Sequence, residues 1–120
     1  MTGLLLSDDL LFTSRVAGEA RALGLTIKAA RSADALLALA RQEAPACVIV
    51  DLANPSLALP DLMRQLAELG NPRVVAYGSH VDTATLRAAR EAGCDPVLPR
   101  SKFVEELPRA LPQWFARGTP

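Results

Sequence analysis

Short apolar runs alternate with longer stretches of helical spacing from one end of the chain to the other. Leu4-Leu5-Leu6 is the first run. Leu10 to Leu23 follows, with Leu11, Val16, Ala20 and Leu23 near helical spacing and Gly24 as a stop. Leu25 to Ala29 is the second run. Ser32 reads as the N-cap of a helix over Ala33 to Ala44, which Pro45 ends. Cys47-Val48-Ile49-Val50 is the clearest strand, apolar, half β-branched, and bounded by Pro45 and Asp51. Asp61 to Leu69 predicts a helix stopped by Gly70, and Arg73 to Tyr77 a fourth strand. Asp82 caps Thr83 to Ala92, and Gly93 stops that helix. Pro96 to Leu98 is a short fifth strand, and a last helical stretch covers Val104 to Arg117. Pro108 falls in its first turn or just past it. Pro112 sits deeper, where a proline removes a backbone bond and clashes with the preceding turn, so a kink or two short pieces is expected. Trp114 and Phe115 are expected to fold back onto the core; the alternative is an exposed patch that docks a partner.

Five strand–helix units in a row predict a parallel sheet covered on both faces. Strands that are continuously apolar fit a sheet buried on both sides. No side-chain signature repeats with the strands, which favours a doubly wound α/β domain over a solenoid.

Composition narrows the class. A chain of 120 residues is expected to form one domain, and 50% hydrophobic residues suffice for a core. Thirteen basic residues balance 13 acidic ones, which argues against a nucleic-acid-binding module. No apolar run approaches the ~18 residues of a membrane span. Met1-Thr2-Gly3-Leu4 does not begin a secretory signal. Two cysteines do not make a disulfide framework. A soluble cytoplasmic domain is the expectation.

Candidate chemistry gathers at strand ends. Asp8 and Asp9 follow the first strand and Asp51 follows the third. Open parallel sheets bind ligands outside the carboxyl ends of their strands, at the topological switch point. Three carboxylates brought together there repel, and either take up protons or hold a cation. Hard oxygen donors suit magnesium, and a carboxylate beside it can act as a nucleophile toward a phosphoryl group. The plainer alternative is that Asp8 or Asp9 caps the first helix and Asp51 opens a turn.

With those residues in view the sequence resembles the receiver domains of bacterial response regulators, over nearly the whole chain. The resemblance rests on Leu6-Ser7-Asp8-Asp9, on Asp51-Leu52-Ala53-Asn54-Pro55, and on Glu91-Ala92-Gly93-Cys94-Asp95. It implies a flavodoxin-like, five-stranded parallel sheet of order 2-1-3-4-5 with five helices. It implies Mg2+ held by Asp8, Asp9, Asp51 and the backbone carbonyl of Ala53. Asp51 would be the phosphoacceptor for a histidine kinase or phosphotransfer protein. Output would pass to a downstream protein partner or a homodimer through helix four, strand five and helix five, with no nucleic acid and no enzyme active site; 120 residues leave room for no effector domain, so a stand-alone receiver or one cut from a longer chain is expected.

The departures fall on the switch. The family's hydroxyl residue after strand four falls, counted without gaps, on Gly78; Ser79 is next, but alternation sends neighbouring strand side chains to opposite faces. The family's Lys-Pro after strand five reads Arg100-Ser101, and arginine presents a planar fork where lysine presents a point charge. A cis bond before serine would cost ~3–4 kcal/mol, so the loop is expected to differ. Lys102 is expected to be solvated. The switch aromatic falls on Val97, and Tyr77 is expected in the core. The family's glycine after the Asn54-Pro55 pair is absent; Ser56 to Pro60 supplies two leucines, for burial or for a contact surface. His80 is expected in a solvated loop, and Cys47 and Cys94 as buried, unpaired thiols. Two readings follow: a phosphoreceiver with a weak or rerouted switch, or a degenerate pseudo-receiver that works by phosphorylation-independent contact or dimerisation. A flavin-binding protein is disfavoured because Asp8-Asp9 stands where a phosphate loop would be.

Overall fold

The computed structural model describes residues 2–116. Ten elements alternate: β1 (Thr2–Leu6), α1 (Leu10–Ala22), β2 (Thr26–Ala30), α2 (Ala33–Gln42), β3 (Cys47–Asp51), α3 (Leu59–Ala67), β4 (Arg73–Gly78), α4 (Thr83–Glu91), β5 (Val97–Pro99) and α5 (Arg100–Phe115). The five strands form one parallel sheet of order β2-β1-β3-β4-β5, the flavodoxin-like order expected. Local signals set several boundaries. Ser32 caps α2 by accepting from the Ala35 N–H, and Asp82 caps α4 by accepting from the Thr85 N–H. Gly93 follows the α4 C-cap at φ +106°, a conformation that a Cβ would strain.

The pleat divides the interior into two layers. Leu4, Leu6, Val48, Val50, Val74 and Ala76 face α2, α3 and α4 in an aliphatic layer. Leu5, Cys47, Ile49, Val75 and Tyr77 face α1 and α5 in a layer that also holds Phe12, Phe103, Trp114 and Phe115. Trp114 and Phe115 are thus core residues, as expected. Gly3 makes room for this packing, since a Cβ there would lie 2.6 Å from Phe115 Cζ. Cys47 and Cys94 are both buried and free. Leu57 and Leu59 pack against the aliphatic layer.

The last helix corrects an expectation. It is one continuous helix and not two short pieces, and it starts at Arg100 directly from β5, not at Val104. Pro108 and Pro112 lie inside one continuous helix and are exposed. Phe103, Leu107, Leu111, Trp114 and Phe115 form its buried stripe, so the prolines cost backbone bonds without displacing core side chains. The expected end at Arg117 lies outside the described residues. Elsewhere the edges move by one or two positions: α3 begins at Leu59 with Pro60 in its first turn, and α2 ends at Gln42. Among the described residues no helix is long and apolar enough to cross a membrane.

Candidate functional site at the carboxyl end of the sheet

Asp51 is the last residue of central strand β3. Parallel register pairs it with Tyr77 of β4, so both side chains leave the sheet on the aromatic side. Its carboxylate is buried, 7% exposed, and both oxygens are held. Oδ1 accepts the Ala53 N–H at 2.9 Å, and Oδ2 accepts the Ser7 hydroxyl at 3.0 Å. Ser7 is itself fully buried at the end of β1. Two donors on one carboxylate fix its orientation. Asn54 shapes the following loop: its amide donates to the Arg31 carbonyl, and its Oδ1 accepts from the Ser56 N–H and hydroxyl.

The acidic pair divides its work. Asp8 is exposed. Asp9 caps α1, its Oδ1 accepting the Phe12 N–H at 3.0 Å, while its Oδ2 receives the Arg100 guanidinium at 3.0 Å. The Phe12 N–H and then Arg100 hold the Asp9 carboxyl below its ordinary range. The guanidinium also lies over the Phe12 ring, 4.1 Å from its centroid. Asp9 is therefore both the cap foreseen as the plainer alternative and half of an ion pair. Among the described residues no three His, Cys, Asp or Glu side chains stand close enough to hold a metal ion.

A cavity of about 670 Å3 opens from Asp51 toward the loop after β4 and the start of α5; Tyr77, Gly78, Ser79, His80 and Arg100 line it with Asp51. A Cβ on Gly78 would meet Leu52 at 3.4 Å and Leu86 at 3.5 Å, on the aliphatic side away from Asp51. Ser79, just past the strand, is exposed on the cavity wall. Its Oγ accepts weakly from the Val81 N–H at 3.4 Å. Val97 is buried in the aliphatic layer. Lys102 is turned to Glu105 and Glu106 at 3.7 and 3.6 Å, a solvated helix-face cluster as expected. His80 is exposed as expected, yet it shares the cavity. Tyr77 is a core residue, 1% exposed, fixed between Phe12 and Phe103 at ring-centroid distances of 5.1 and 4.7 Å. Its hydroxyl has no hydrogen-bond partner. Burial, and next the Asp51 charge, push the phenol up from its ordinary range.

The sequence assigned no role in the site to Ser7, to Phe12 or to Ser101, which also lines the cavity. The signal for Ser7 was a hydroxyl between a buried strand and an acidic pair. For Phe12 there was none until Arg100 was placed above it.

No protein-family model and no curated protein matches this chain. Solved structures do. The Francisella response regulator 1452 receiver domain superposes with a TM-score of 0.80 at 16% identity, over 95% of this chain and 95% of that one. A response regulator receiver domain protein from Clostridium thermocellum gives 0.80 at 18%, over 95% and 93%. A Burkholderia pseudomallei response regulator, solved with a phosphorylated aspartic acid, a calcium ion and citrate, gives 0.74 at 21%, over 93% and 69%. The chain takes the receiver-domain fold.

Proposed function

We propose that residues 1–120 form one receiver module of two-component signalling, a cytoplasmic protein–protein switch that is not an enzyme in its own right, with Asp51 as phosphoacceptor. The carrying observation is the Asp51 carboxylate, buried at the end of the central strand, held by Ser7 and the Ala53 N–H, and facing a cavity. A lone pair of one carboxylate oxygen would form the O–P bond as the P–N bond of a phosphohistidine breaks, its electron pair returning to the imidazole. The donor would be a histidine kinase or a phosphotransfer protein. The receiver fold and the net charge of zero both support protein partners over nucleic acid.

Asp8, Asp9, Asp51 and the Ala53 carbonyl are hard oxygen donors of the kind Mg2+ takes, although the three carboxylates do not stand together as a metal site in this arrangement. A divalent cation there would neutralise charge on the transferring oxygens. The arrangement described is one in which Asp9 already serves a cation, the Arg100 guanidinium. Metal binding thus competes with that ion pair. Gly78 and Val97 place neither a hydroxyl nor an aromatic at the family's relay positions, Ser79 offers an exposed hydroxyl, and Arg100 stands for the lysine. A weak or rerouted response follows.

Incubation with phosphoramidate and Mg2+ should add one phosphoryl group by intact mass, and Asp51→Asn should abolish it. Labelling that survives in Asp51→Asn overturns the assignment. The Arg100–Asp9 pair favours a second reading, a pseudo-receiver that docks or dimerises through α4, β5 and α5 without phosphorylation. No labelling of the wild type, with partner binding unchanged by Asp51→Asn, would select it.

A further inference from the structure

Tyr77 carries an orphaned donor at the floor of this site. Register sets it beside Asp51, its ring is clamped between Phe12 and Phe103, and it lines the same cavity as the carboxylate. The hydroxyl is buried and makes no well-formed hydrogen bond, although Asp51 and Ser7 stand close enough to act on it. A buried hydroxyl left unpaired is destabilising, and native structures seldom keep one without a reason. Ser7 has one proton, and it is already given to Asp51 Oδ2. The phenol is therefore the free donor on the interior side of the carboxylate.

We propose that Tyr77 is a positioning residue for the phosphoryl group: its hydroxyl is unpartnered in the free protein and donates to an oxygen of the Asp51–phosphoryl group once that group is in place. This rests on the reading of Asp51 as phosphoacceptor. The donor is pre-organised, because both neighbouring rings fix the phenol and little motion remains to be lost on bonding. The bond would couple the loaded site to α1 through Phe12 and to α5 through Phe103.

Tyr77 is the sole tyrosine of the chain, so its ring Raman doublet reports one hydroxyl. The test adds Mg2+ and beryllofluoride, which mimics the phosphoryl group on an aspartate. Wild-type protein should pass from an unbonded phenol to a hydrogen-bond donor, and Asp51→Asn should show no change. Tyr77→Phe keeps the ring, so it should unfold at or above the wild-type temperature yet bind beryllofluoride about tenfold more weakly. Ser79→Ala is the comparison for a hydroxyl at the cavity mouth and should leave the doublet change intact. Beryllofluoride binding with an unchanged doublet and equal affinity in Tyr77→Phe overturns the proposal and leaves the phosphoacceptor standing. A lowered unfolding temperature for Tyr77→Phe also overturns it, because the hydroxyl would then be bonded already. No beryllofluoride binding to the wild type overturns both.

Discussion

The two faces of the sheet are built from different materials. The α2–α3–α4 side is mainly aliphatic and holds no aromatic ring. The α1–α5 side holds all five aromatic residues, and four of them, Phe12, Tyr77, Phe103 and Trp114, are linked by ring contacts of 4.7 to 5.9 Å. Asp51 opens onto that aromatic side, because odd positions of β3 point there. Gly78 and Val97, the positions where the sequence count expected a relay, belong to the other side. A charge change at Asp51 is thus in closest mechanical contact with α1 and α5. Aliphatic packing resists deformation by volume alone, whereas clamped rings transmit orientation.

Breaking the aromatic side should have the largest effect. Phe103→Ala removes a fully buried ring between Tyr77 and Trp114 and should cost about 3–5 kcal/mol in urea unfolding. Leu62→Ala on the aliphatic side should cost about 2–5 kcal/mol. Only the first should also shorten the lifetime of phosphorylated Asp51. Equal effects of the two on that lifetime would remove the distinction between the faces. Arg100→Ala is next. It frees Asp9 Oδ2 and uncovers Phe12, so Mg2+ affinity should rise several-fold by amide NMR titration, with little change in stability because the pair is half-exposed.

The pH dependence is smaller and its sign is fixed. The folded pKa of Asp9 lies below the ordinary carboxyl value, so its contribution is complete above the unfolded pKa and is lost as pH falls through the lower folded pKa. Unfolding midpoints between about pH 5 and pH 2 should fall for the wild type, and Asp9→Asn should lack that component. The smallest contrast uses the cysteines. Burial pushes Cys47, on the aromatic side, up to about 12 and Cys94, on the aliphatic side, up to about 11. Neither should react quickly with a thiol reagent at pH 8 in the folded state, and Cys47 should be the slower.

Much of this was legible in the sequence because local chemistry encodes it. Ser32, Asp82, Gly24, Gly70 and Gly93 mark helix ends by capping or by positive φ, and the structure uses each in that way. The start of α5 was not legible. The helix leaves β5 with no side-chain cap, and its buried stripe overrides two prolines. At the site, Asp51 could be found from its place after an apolar strand. The partner of Asp9 could not, since Arg100 is 91 positions away. Counting without gaps pointed to Gly78. Register, which the sequence does not state, points its missing side chain at Leu52 and Leu86, and sets Tyr77 beside Asp51.

The most direct test of the phosphoacceptor assignment is an amide-resolved NMR titration of the full chain with Mg2+ and then beryllofluoride. Shifts at Asp8, Asp9 and Asp51 with Mg2+, extending with beryllofluoride to Tyr77, Ser79 and Arg100 and on into α1 and α5, are the result predicted. A spectrum indifferent to both additions would contradict it.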